Sequence, residues 1–594
     1  AAQQREFISR EHYRDSIWSN LKRFGRLKNF NQSINANYRL PLDKFPLTDW
    51  INGDLRYQVS YAWTAGPFYA NPQQADTLGF GNTLQNSRDN SIRGKFDLVK
   101  LYNKVNFLKK INSPPQNTRR SSLRQNTESD TTANKKSDSK FAKGILKFLM
   151  SIRSLNATYS LREGTIINGF KPQVYLFGMD SSFNEPGWGF IFGSQDPNIR
   201  NRLAESNLIT TNSNLTTPFT QTETETIDLR ADLEPFKDFK IQLNAKKTEN
   251  SAFEEIFRFV PDSGRFISLN PARSGAYNIS FLTIGTAFQR SDDNNNSPVF
   301  EDFERNRLEI LARFREINPL YDTNSQDVLI PAFIAAYSGR DAKDVSLSPF
   351  PKTPIPNWRI DFSGLGKIPS LQEKFQSISI THAYQSSYSV TNYNSNLEYG
   401  QGLELNNGLD NYNTRDFARD VENDGDLIPI YNISQVKISE QFSPLIGVSI
   451  RTKSRLTARV EYKTKRDIAL NINNAQVTEV NSNDVVLELG FTKKNMRLPF
   501  KSQGRVITLK NDLTFRMNFT IRDTETIQRR LNEISTVTNG ALNIQFRPNI
   551  DYILNEKLNL QFYFERNINE PRISTSFRRA TTRLGVQVRF SLAQ

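Results

Sequence analysis

The chain has 594 residues, of which 37% are hydrophobic, and 77 Lys and Arg against 62 Asp and Glu leave a formal charge of +15. It has no cysteine, which excludes disulfides, a thiolate nucleophile and any Cys-based metal site. No stretch approaches the roughly eighteen uncharged apolar residues of a membrane helix. The cationic excess is spread along the chain, so nothing marks a nucleic-acid surface. Yet 42 Phe, 20 Tyr and 5 Trp are more aromatic residues than a disordered polar chain carries.

In chain order, residues 5–27 place Phe7, Tyr13, Ile17, Trp18, Leu21 and Phe24 at helical spacing, which predicts a short amphipathic segment over 1–27. From Phe30 the period falls to two. Leu55, Tyr57, Val59, Tyr61 and Trp63 then share one face of a ten-residue run. The pattern predicts wall strands over 28–110. Residues 111–140 are Ser, Thr, Asn and Lys with little to bury, and read as a disordered loop. Alternation resumes over 141–163 and again over 226–297, where Ile227 to Leu233 and Phe239 to Ala245 flank a tight turn.

Between them, residues 164–225 are predicted to form a folded-back loop in which glycines stand next to aromatics. Residues 298–357 read as a helical insertion: Val299, Phe303, Leu308, Leu311, Phe314 and Ile317 recur among charges, and a second helix runs from Asp327 to Ser338. Such helices must lie outside a bilayer or inside a wide lumen. Residues 358–594 carry the clearest alternation, as in Leu513, Phe515, Met517, Phe519 and Ile521 against Thr514, Arg516, Asn518, Thr520 and Arg522.

About sixteen to twenty strands, mostly eight to eleven residues long and joined by hairpins, suit a lipid-facing barrel better than a soluble sandwich or propeller, whose strands average about five to six. Trp63, Tyr159, Tyr462, Tyr552 and Phe590 sit near segment ends, where an interfacial girdle would place them. Arg516 and Arg589 lie on polar faces and are predicted to point into an aqueous lumen.

Catalytic signatures are missing, and the sequence predicts no enzyme, no cofactor and no metal. His12 and His382 are far apart. Asp420, Glu422, Asp424, Gly425 and Asp426 open like a calcium loop, but Tyr431 stands where the bidentate Glu is required, so a solvated turn is expected. Gly164, Phe170, Pro186, Gly187, Trp188 and Phe190 in the Gly/aromatic loop, with Phe333 and Tyr337 in the second helix, are the candidates for loop or partner contacts.

Several segments carry a resemblance to a known family: Leu40 to Pro46 with Trp50, Tyr57 to Trp63, Ser154 to Gly193, Asn318 to Asp322, Val328 to Tyr337, Pro356 to Ile360, and the closing Phe590 to Gln594. Together they resemble the Sov/SprA family, the outer-membrane translocon of the type IX secretion system. The resemblance implies an all-β fold, part of a very large antiparallel transmembrane β-barrel of thirty-six strands in a single chain, with helical loop insertions. Members are several times longer, so the chain would be a C-terminal portion, in keeping with its missing leader and Met start. It further implies a protein-conducting channel in the outer membrane of Bacteroidota, in some members also serving gliding motility. The implied partners are outer-membrane lipid, folded secreted cargo proteins with a C-terminal signal domain, a PorV-type partner barrel and a periplasmic plug protein. Two other readings stand beside it: an outer-membrane receptor or porin-type barrel for small solutes, and a soluble β-rich surface adhesin.

Overall fold

The protein is described from a computed structural model covering residues 27–67, 79–112, 150–396, 427–555 and 558–590, together with 18, 21–22 and 418–419 and less positions 290, 293, 495, 503–504, 510 and 574–575. The expected helix over 5–27, the polar run 111–140 and the acidic turn 420–426 lie outside these residues or almost wholly so.

One antiparallel sheet of sixteen strands organises the chain. Its strands are β1 (Asn29–Leu40), β2 (Ile51–Thr64), β3 (Asn82–Asp97), β4 (Ile152–Phe170), β5 (Phe219–Phe236), β6 (Phe239–Val260), β7 (Arg265–Ser280) and β8 (Asn357–Phe362). There follow β9 (Phe375–Ser395), β10 (Tyr431–Thr452), β11 (Leu456–Asn471), β12 (Gln476–Lys493), β13 (Leu513–Arg529), β14 (Thr536–Asn555), β15 (Leu558–Pro571) and β16 (Arg579–Phe590). Each pairs with its sequence neighbour, except where β8 is concerned: β7 pairs directly with β9, and β8 lies between β6 and β9.

Registers carry the two-residue period from strand to strand without a change of face. Tyr38 pairs Leu55, Leu55 pairs Ile92, Ile92 pairs Tyr159 and Tyr159 pairs Ile227. At the far side Leu513 pairs Tyr552, Tyr552 pairs Leu560 and Leu560 pairs Val588. One face of the sheet is therefore an apolar belt and the other is Ser, Thr, Asn, Gln and charge. On β13 the belt runs from Leu513 to Ile521, about 26 Å along the strand at ~3.3 Å per residue, against ~25 Å for the apolar band of an outer-membrane wall.

The strands are longer than the sequence predicts, 12 to 22 residues in all but six-residue β8. The excess lies above the belt, where the same face supports two insertions. Residues 171–218 cover β2 to β6 through a cluster containing Tyr61, Trp63, Leu84, Ile167, Phe170, Phe190, Leu203, Phe219 and Phe253. Helices α1 (Pro298–Arg315) and α2 (Gln326–Ser338) cover β7 and β9 to β12 through Ile279, Tyr388, Val436, Ile438, Ile468, Leu470 and Val477. Trp63, expected at a lipid interface, is 1% exposed beneath the first insertion. Both insertions thus sit on the belt side of the sheet.

The expected fold class is corrected in two respects. Among the described residues the main sheet has sixteen strands, nowhere near the thirty-six that the resemblance implied for the barrel. The sheet is also not closed: β1 and β16 are its two edges and do not pair with each other.

Candidate functional site

The polar face holds the side chains that water would meet. Arg516 and Arg589 both lie on it, with Thr514, Asp551, Gln561 and Gln587, around a depression of about 340 Å³. Arg516 is 3.5 Å from Asp551 and remains largely exposed. A second depression, of about 740 Å³, spans β1 to β6. Here Arg39, Arg93, Lys95, Arg230 and Lys246 face Asp54 and Asp228, so cations prevail. The register explains the cluster: Asp54 pairs Arg93, Arg93 pairs Thr158, Thr158 pairs Asp228 and Asp228 pairs Lys246, one tier of same-face positions. No group of three or more His, Cys, Asp or Glu among the described residues could hold a metal ion.

On the other face a charged tier separates the belt from the insertions. Arg88 binds Glu163 through Nε at 3.0 Å and Nη2 at 2.7 Å. Lys247, 4% exposed, lies 3.5 Å from Glu225 and 3.4 Å from Glu249. Farther along, Glu440 accepts from Arg466 Nη2 at 2.9 Å, Tyr384 Oη at 2.9 Å and Thr283 Oγ1 at 2.6 Å. Arg529, fully buried, donates to Glu479 at 3.1 Å, Ser291 at 2.8 Å and Ser535 at 3.1 Å. Burying such ions is tolerable only with this degree of pairing. Ser291 and Thr283 belong to the second insertion, so these groups tie it to the wall. Arg200 does the same for the first, paired to Glu255 with its guanidinium 5.0 Å from the Phe219 ring centre. Sequence reasoning passed over these groups. Their signal was charge at an apolar parity, as with Glu440 and Arg466 in otherwise apolar rows.

The candidate contact residues separate into distinct environments. Gly164 and Phe170 belong to β4: Gly164 faces Thr222 on the polar side and Phe170 is fully buried. Pro186 is buried, and its carbonyl accepts from Arg202 Nη2 at 2.9 Å. Gly187, at φ 97°, turns the chain into Trp188, which is 45% exposed, while Phe190 is 3% exposed and edge-on to Tyr61. Phe333 and Tyr337 are core residues of α2, 4.8 Å apart. The loop is seated by close approach: a Cβ at Gly178 would stand 2.3 Å from the Tyr61 ring, and one at Gly193 would stand 2.9 Å from Val59. Both glycines have positive φ.

No family model matches the chain. Nor is any curated protein similar to it. Among solved structures it is similar to the ferripyoverdine receptor of the outer membrane of Pseudomonas aeruginosa, at 8% identity and a TM-score of 0.27 over 95% of this chain and 58% of that one. The copper transporter OprC matches at 7% identity and 0.25, covering 93% and 62%, and the siderophore receptor PirA from Acinetobacter baumannii at 9% and 0.23, covering 95% and 72%. The chain spans about three fifths of the length of the first such structures. Likenesses this distant bring no substrate with them.

The resemblance read from the sequence is overturned at this point. The structures matched are receptors and a transporter, not a secretion translocon. With it fall the protein-conducting function, the gliding-motility role, the folded cargo with its signal domain, the PorV-type partner and the periplasmic plug protein. A Bacteroidota source rested on the resemblance alone and loses its support.

Proposed function

We propose that the chain forms the wall of an outer-membrane receptor or porin-type channel for small polar solutes, with its belt against lipid and its polar face lining the water path. The observation that carries this reading is the unbroken segregation of faces: at every wall position from β1 to β16 the belt residues share one side. A soluble β-rich adhesin has no use for a belt about 25 Å tall that its own insertions leave uncovered. The excess of cations around Arg93, Lys95 and Lys246 favours anionic solutes on electrostatic grounds.

Conductance of the full chain in planar bilayers tests the proposal. The expected result is a water-filled conductance with anion preference, in which Arg516→Glu together with Arg93→Glu moves the reversal potential toward cations. A compact monomer, freely soluble without detergent and silent in the bilayer, would overturn it.

A further inference from the structure

The belt has an upper boundary problem. Just above it the strands' own side chains are the charged tier, and across β2 to β6 the strand aromatics at that border are Tyr57 and Tyr159. The two insertions nevertheless expose large apolar side chains, among them Leu176 (62%), Phe177 (54%), Phe183 (44%), Trp188 (45%), Phe192 (47%) and Phe288 (61%). Trp188 stacks on Phe192 with centroids 6.1 Å apart and leans on Phe177 at the same distance.

Their position is fixed against the wall. Gln32 Nε2 donates to the Phe177 carbonyl at 3.2 Å, the Tyr57 hydroxyl donates to the Phe192 carbonyl, and the Tyr61 hydroxyl donates to the Gly178 carbonyl at 2.9 Å. Asn86 Nδ2 holds the Phe190 carbonyl at 2.9 Å. On the belt side of β1 and β2, the next positions below Gln32 and Tyr57 include Ile34, Leu55 and Tyr38, and Ile34 and Tyr38 are themselves exposed. At β10, Phe288 packs on Phe442 at 5.2 Å, and Phe442 is followed by exposed Ile446. The aromatics are therefore continuous with the belt at both places, and rigidly so, because the backbone that carries them is hydrogen-bonded to strand side chains.

We infer that the two insertions supply the upper aromatic girdle of the wall, seating Trp188, Phe192, Phe177 and Phe288 in the interfacial zone of the outer membrane. The amphipathic indole of Trp188 favours that zone, and the Phe rings add apolar area at its lipid edge. The insertions thereby roof the charged tier against lipid, which explains why Lys247, Glu440, Arg466 and Arg529 are buried under protein. This inference rests on the reading that the belt meets lipid.

The absence of cysteine permits single-thiol spin labelling of the full chain in phospholipid vesicles. Labels at Phe177→Cys and Phe192→Cys are compared with Val460→Cys in the belt and Ser449→Cys on the polar face. The expected result is that the two loop labels collide with oxygen and are shielded from a water-soluble nickel chelate, as the Val460 label is. Nickel accessibility matching Ser449 would overturn the inference. So would labels immobilised and shielded from both reagents, since protein rather than lipid would then cover the patch. A Val460 label open to nickel would instead sink the underlying membrane reading. A label-free check covers misfolded variants: brominated lipid should quench the emission that Trp188→Phe removes, and quenching of that component by iodide alone would count against the girdle.

Discussion

Ile355 donates its backbone N–H to the carbonyl of Ser280 at 3.0 Å, drawing together the two ends of the helical insertion. The two residues flank a break in a single wall strand. Ser280 pairs Ser387 and Trp358 pairs Tyr384 on β9, while Ile279 pairs Lys247 and Asn357 pairs Asn244 on β6. Both neighbours thus leave one position between Ser280 and Asn357, which Phe281 fills by donating to the Ser386 carbonyl at 3.0 Å. Side chains complete the ladder there: Lys246 N–H finds Ser280 Oγ at 2.9 Å, and Ser386 N–H finds Asn357 Oδ1 at 2.7 Å.

Deleting residues 282–356 and joining Phe281 to Asn357 should therefore keep strand register and faces. What it loses is the cover over Tyr388, Val436, Ile438 and Ile468. We expect the β-sheet signal in far-ultraviolet circular dichroism to persist while the helical signal of α1 and α2 is lost, with a melting temperature at least about 10 °C lower, since several buried side chains at about 1.5–3 kcal/mol each become exposed. Loss of β-structure would show that the insertion, rather than the strand, sets the register.

Arg466→Met should cost about 3–5 kcal/mol, because Glu440 would remain buried without its cation. The double variant Glu440→Met with Arg466→Met should recover much of that loss, an apolar pair being tolerated where a lone ion is not. Denaturant unfolding of the two variants reads the difference. Equal losses in both would mean that the hydroxyls of Tyr384 and Thr283, not the ion pair, hold the junction.

The faces were legible in the sequence because a period of two survives any long-range arrangement. Leu513 to Ile521 could be assigned to one side before any partner strand was known. Their destinations were not legible. Trp63 and Phe590 both end alternating runs, yet Trp63 is buried and Phe590 is 61% exposed, because only the first lies beneath an insertion. Alternation cannot report what covers a face. The helices of 298–338 were visible from their spacing, but their seat above the belt depends on Glu440, Arg466 and Arg529, which are distant in sequence from them and from one another. Closure was also beyond reach, since it depends on pairing at the edges.

Gly178→Ala should loosen the first insertion without disturbing the wall. The new methyl would collide with the Tyr61 ring, and the residue sits at φ 77°, where a side chain is strained. We expect a loss of about 1–3 kcal/mol, confined to residues 171–218 and read as faster hydrogen exchange there. Unchanged protection over this segment would show that the ring yields instead.

Asp327 should make the helical insertion less stable as pH rises. It is buried near the start of α2, its Oδ1 has no hydrogen-bond partner, and Oδ2 is 3.3 Å from the Tyr321 hydroxyl. Burial pushes its carboxyl up to about 6, against the opposing hydrogen bonds of Tyr321 and Gln326. Below the unfolded value near 4 the group is protonated whether the insertion is folded or not, and imposes no penalty. Between about 4 and 6 only the unfolded segment ionises, so folding weakens with rising pH, and above about 6 the penalty is complete. Asp327→Asn keeps an acceptor for Tyr321 and removes the charge. It should stabilise the insertion by on the order of 2–3 kcal/mol at pH 8 and change nothing near pH 3.5, because the linkage acts only above the unfolded value. The difference between variant and wild type, followed by denaturant unfolding across this range, isolates Asp327 from the other titrating carboxylates. A difference that does not vary with pH would show that Asp327 ionises as readily in the folded insertion as in the unfolded segment.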